Sequence, residues 1–138
     1  YCQGLNPDLV KHVQKYSKNV ALYYFHFPLS TLHKASTLIS QISALAHIDK
    51  VKDVEYKIYT AKFSKSFLPD ETNQQKILDA VNKVLGTKYT LKQVNAKKLV
   101  DIVQKDIELG NKVDVRGTPS VFINGEFVSN PRDFLNYK

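Results

Sequence analysis

The sequence predicts an α/β fold in one domain, and three observations carry that prediction. Val20 to Phe27 is a continuous apolar and aromatic run with no helical period, bounded by Asn19 and Pro28, as suits a strand covered on both faces. Ser120 to Ile123 is a second short apolar run, and Asn124-Gly125 joins it to Glu126–Val128. Asn-Gly between two such runs is a strong signal for a tight hairpin. Between these strands, residues 31 to 110 repeat apolar side chains at helical spacing.

The elements follow in order. Leu5, Leu9, Val10, Val13 and Tyr16 predict a helix over Leu5–Ser17, with Pro7 early in it and Asn19 beyond its end. Thr31–His47 is a second amphipathic helix and Val51–Phe63 a third, with Ser66–Asp70 a loop. Thr72 or Asn73 caps a helix that runs to about Leu85 and stops at Gly86. Thr90-Leu91 opens a short turn, and Asn95–Leu109 is a further helix stopped by Gly110. After the hairpin, Pro131 begins a last short helix over Asp133–Tyr137.

This order leaves strand 20–27 without a neighbour. A helix before a parallel strand normally follows a strand of its own, which returns beside its successor through a right-handed crossover. That first strand is expected to precede Tyr1. Tyr1 is not a natural start and the chain has no methionine, so it reads as part of a longer polypeptide.

Composition narrows the function classes. The chain has 138 residues, enough for a real core, and 43% of them are apolar. No apolar run approaches the roughly 18 residues that span a bilayer, so stable membrane insertion is not expected. The net charge is +7, with the basic residues spread along the chain and Lys97-Lys98 the only adjacent pair. Only Arg116 and Arg132 among the 20 basic residues are arginine. Both facts argue against a nucleic-acid footprint, which clusters basic residues and favours Arg on phosphate. The lysines over 83–105 read as a solvated helical face, and the aromatic run 23–27 as core rather than a base-stacking platform. His12, His26, His33 and His47 are scattered, and with one cysteine they have no metal-ligand spacing; no metal and no cofactor is expected.

Four features carry chemistry. Cys2 lies at the start of the first helix, and taken alone it reads as a small buried hydrophobe rather than a redox group. Pro7 stands five residues after it, Phe27-Pro28-Leu29 closes the strand, and Gly117-Thr118-Pro119 precedes the hairpin. The Thr118–Pro119 bond admits the cis isomer or an ordinary trans turn. Together, Tyr1-Cys2, Pro7, Phe27-Pro28-Leu29, Gly117-Thr118-Pro119 and Asn124-Gly125 resemble the DsbA-like thiol-disulfide oxidoreductases of the thioredoxin superfamily. The resemblance covers nearly the whole chain.

It implies a thioredoxin fold with residues 1–30 and 111–138 as core and about 31–110 as an inserted helical subdomain. It makes Cys2 the second cysteine of a Cys-x-x-Cys motif, of which only Tyr1-Cys2 is present. It also implies that Tyr1, Thr118 and Pro119 contact substrate, with the loop proline in cis. The expected activity is thiol-disulfide exchange on cysteine-containing exported proteins, in a periplasmic or other extracytoplasmic compartment, with a partner protein that recycles the enzyme. The alternative is a redox-inert thioredoxin-fold module that binds extended peptides or acts as a chaperone.

Overall fold

The computed structural model describes residues 2–61 and 71–138. Helix α1 spans Cys2–Lys15 and contains Pro7. It begins three residues earlier than its apolar spacing predicts, so Cys2 is in its first turn. A turn at 16–19 follows, in which the Asn19 and Val20 amides both donate to the Tyr16 carbonyl at 2.9 Å.

Residues 20–29 correct the sequence expectation. They form no strand, and the sheet described has two strands only. Nor is the run covered on both faces. Val20, Leu22, Tyr24 and His26 are half-buried, while Ala21, Tyr23 and Phe25 are exposed, with Tyr23 at 79% and Phe25 at 62%. The segment therefore has the two-residue alternation of a strand with one face covered. What it lacks, among the described residues, is a neighbour to share a hydrogen-bond ladder, and pairing is what makes an extended segment a strand.

The helical block comes next. Helix α2 is Ser36–Ile48, shorter at its start than expected. The amides of Leu32 and His33 turn back onto Leu29, and Leu32 stays exposed. Helix α3 is Val54–Thr60; the end of the expected helix at Lys62-Phe63 and the expected loop 66–70 lie outside the described residues. Helix α4, Gln74–Leu85, is capped by the Asn73 side chain and ends at Gly86, whose φ is 71°. Helix α5, Leu91–Val94, is a single turn closed by a Thr90–Gln93 capping box. Helix α6, Lys97–Lys112, runs through Gly110 rather than stopping there. Gly110 serves packing instead: a Cβ on it would sit 2.5 Å from a ring carbon of Phe27.

One apolar core joins α2, α3, α4 and α5. Ala35, Leu38, Ile42, Ala46, Val54, Ile58, Ile77, Leu78, Val81, Leu85 and Val94 form it. Gln41 reaches across it, its Nε2 donating to the Val94 carbonyl at 2.9 Å. The lysines of 83–105 are all exposed, as a solvated face requires.

Strands β1 (Val121–Ile123) and β2 (Glu126–Val128) pair antiparallel, with Phe122 opposite Phe127. Asn124 (φ 51°) and Gly125 (φ 86°) make the turn, the left-handed pair that suits a two-residue hairpin. The last element is a 3₁₀ helix, Pro131–Asn136, capped by Asn130. Its buried Phe134 packs edge-on to His12 of α1 at 5.3 Å between ring centres, and the His12 ring also hydrogen-bonds the Tyr137 carbonyl. The end of the chain is thereby fastened to α1. Among the described residues no helix is long and apolar enough to cross a membrane.

Candidate functional site

An open groove of about 1100 Å³ lies between the first turn of α1 and the segment before β1. Gln3, Gly4 and Leu5 line one side; Gly117, Thr118, Pro119 and Ser120 line the other. The Thr118–Pro119 peptide is cis. Ser120 holds this loop from within, its hydroxyl donating to the Gly117 carbonyl at 2.6 Å. Thr118 and Pro119 are half-buried. Residues more than a hundred positions apart thus meet at one opening.

Cys2, the residue before Gln3, is at the start of α1, half-buried and free. The first four amides of a helix have no intrahelical acceptor and carry the positive end of its dipole. Behind the helix, Tyr59 of α3 has its hydroxyl pushed up to about 12, first by burial and then by the neighbouring Cys2 sulfur, Glu55 and Tyr24. It therefore remains a hydrogen-bond donor throughout the neutral range. Asn6, one turn after Cys2 on α1, is buried, and its Nδ2 donates to the Tyr24 hydroxyl at 2.8 Å.

The groove carries charge as well. Arg116 lines it from the segment before the loop, and Arg132 from the 3₁₀ helix. Arg132 Nη1 pairs with Asp8 at 2.8 Å, and Nη2 donates to the Gly4 carbonyl at 3.3 Å. This clamp fixes the 3₁₀ helix to the first turns of α1. Arg116 pairs with Asp114, its Nε at 3.0 Å and its Nη2 at 2.8 Å from the same Oδ2.

A second polar cluster sits between α2 and α3. Glu55 is buried, and its Oε1 accepts from Ser43 Oγ at 3.1 Å and from His47 Nε2 at 2.5 Å. Burial pushes the Glu55 carboxyl up, but the bonds from His47 and Ser43 outweigh it and hold the group below its ordinary range. The bond to Glu55 raises His47, against a smaller opposing effect of burial. The two form an ion pair when His47 is protonated. They border a small apolar pocket of about 170 Å³ shared with Val10, Val13 and Leu22. Among the described residues no group of three or more His, Cys, Asp or Glu is arranged to hold a metal ion.

Of the residues singled out from sequence, Thr118 and Pro119 line the groove, Cys2 immediately precedes the lining residue Gln3 but is not itself part of the lining, and Tyr1 lies outside the described residues. His26 is at a packed rim: burial lowers its pKa, opposed by Asp106, whose Oδ2 accepts from the His26 amide at 2.9 Å. Sequence reasoning overlooked Arg116, Arg132 and the Glu55–His47 pair as parts of a site. The arginines had a signal, as the only two in a lysine-dominated chain. Glu55 had none, because its partner His47 comes from a different helix.

The thioredoxin family model matches residues 1–138. No curated protein and no solved structure matches the chain significantly. A match over the full chain, with a helix-rich α/β architecture and a small two-stranded sheet, places the protein in the thioredoxin family.

Proposed function

We propose that the protein is a DsbA-like thiol-disulfide oxidoreductase and that Cys2 is its resolving cysteine. The observation that carries this reading is the shared groove: the first turn of α1 and the 117–120 loop line one opening, so a polypeptide bound along the loop passes the Cys2 end of the helix. The partner sulfur is a nucleophilic cysteine three positions before Cys2, completing a Cys-x-x-Cys motif in the full gene product.

The chemistry follows from thiolate exchange. A substrate held as a mixed disulfide on the nucleophilic cysteine is attacked at that cysteine's sulfur by the Cys2 thiolate. The Cys2–nucleophile S–S bond forms, the bond to substrate breaks, and the substrate leaves as a thiolate that takes up a proton. Two electrons pass from enzyme dithiol to substrate disulfide; in reverse, the enzyme disulfide oxidises a substrate dithiol. Thr118, Pro119 and Tyr1 contact the substrate chain. Residues 31–110 then serve as a helical insertion. Substrates are cysteine-containing exported proteins, and the compartment is periplasmic or otherwise extracytoplasmic, where structural disulfides persist. A recycling partner protein restores the enzyme's redox state.

A second reading is favoured by one fact: the chain has a single cysteine, which cannot cycle as a disulfide by itself. In that reading the module is redox-inert and binds extended peptide or acts as a chaperone, adding a strand at the β1 edge beside the loop. A dithiol-oxidation or insulin-reduction assay on the full gene product separates the two. Turnover that disappears in Cys2→Ser supports the enzyme; no turnover, with a residue other than cysteine three before Cys2, supports the binding module.

A further inference from the structure

We infer that the groove beside the 117–120 loop selects substrate segments carrying an acidic side chain, and that Arg116 is the specificity-determining residue. This rests on the proposed exchange site and names the class of polypeptide that site prefers. The chain has 20 basic residues and only two arginines, yet both line this one groove. Lysine supplies charge and solubility wherever the sequence needs them; arginine is placed where a planar, two-pronged donor faces a carboxylate.

The two arginines play different parts. Arg132 is committed to the fold, tied to Asp8 and to the Gly4 carbonyl. Among the described residues Arg116 is tied only to Asp114, a residue two positions away. That pair is open to water, with side chains 84% and 73% exposed, and an exposed pair of this kind adds little stability. Its guanidinium presents Nε and Nη2 side by side to one carboxylate oxygen. Asp114 thus marks where a ligand carboxylate binds, and a substrate Asp or Glu exchanges with it at small cost. Leu5, Pro119 and the exposed Phe127 add apolar contact along the same groove. The net charge of +7 draws acidic partners towards the protein.

The test uses three unstructured peptides, identical except for Asp, Asn or Lys on either side of a central Ser. Serine in place of cysteine keeps the measurement free of covalent capture. Affinities are read by fluorescence anisotropy with the full gene product at low salt and at 0.5 M NaCl. The Asp peptide is expected to bind about five-fold more tightly than the Asn peptide, the scale of one exposed ion pair. The Lys peptide binds weakest, and high salt compresses the series. Arg116→Gln removes the Asp-to-Asn ratio, and Arg116→Lys, which keeps the charge without the fork, retains part of it. Binding of the Asn peptide with no preference for Asp, or a preference unchanged in Arg116→Gln, overturns the assignment and leaves the exchange site standing. Failure of all three peptides to bind overturns both.

Discussion

Two glycines in helices separate packing from propensity at the residue scale. Gly4 in α1 has nothing within 4 Å of where a Cβ would stand. Gly4→Ala therefore gains only helix propensity and raises stability by up to about 1 kcal/mol. At Gly110 a Cβ would meet the Phe27 ring at 2.5 and 2.6 Å. Overpacking there costs about 1–3 kcal/mol, more than propensity returns, so Gly110→Ala lowers the urea midpoint while Gly4→Ala raises it. The Glu55–His47 pair gives a pH signature. Glu55 sits below its ordinary 4.5, so its contribution is full above that value and fades as pH falls through the lowered one. His47 sits above its ordinary 6.5, so its contribution is full below that value and fades as pH rises through the raised one. The stability difference between wild type and His47→Ala is thus greatest between these two pH values and shrinks on either side. Its size is on the order of 1 kcal/mol, discounted because the imidazole is nearly half exposed. Urea unfolding of both proteins across pH checks this.

At the scale of elements, local chemistry was legible where a single residue type decides the outcome. Asn73 caps α4 by accepting from the Lys76 amide at 3.1 Å, and Gly86 ends it. Asn73→Ala should cost about 1 kcal/mol, read as a lower thermal midpoint. Asn124-Gly125 fixed the hairpin for the same reason, since few other residues accept left-handed backbone. Where an outcome depends on distant contacts, the sequence misled. Gly110 looks like a helix stop, but its missing side chain is needed by Phe27, far back in the chain. Residues 20–27 have a strand's composition, yet composition carries no information about a pairing partner. Their alternation of exposed and half-buried side chains appears only once the helices have covered one face.

On the scale of the whole molecule, the helical block has its own core while α1, the 117–120 loop, the hairpin and the 3₁₀ helix assemble beside it. The Arg132–Asp8 clamp and the His12 contacts with Phe134 and Tyr137 hold that assembly together. The broad α/β class, the family and the meeting of Thr118-Pro119 with the start of α1 could be read from motif order. The groove's arginines could not, because two solitary residues sixteen positions apart come to line one groove only through the hairpin between them. The central claim is that the Cys2 sulfur resolves mixed disulfides beside that loop. Non-reducing electrophoresis of the reduced full-length Cys2→Ser protein after incubation with a disulfide-containing substrate tests it most directly, because the remaining thiolate attacks the substrate disulfide and one substrate thiol leaves. Covalent enzyme–substrate adducts that accumulate in Cys2→Ser, and clear from wild type, are the predicted result; a variant that forms no more adduct than wild type contradicts it.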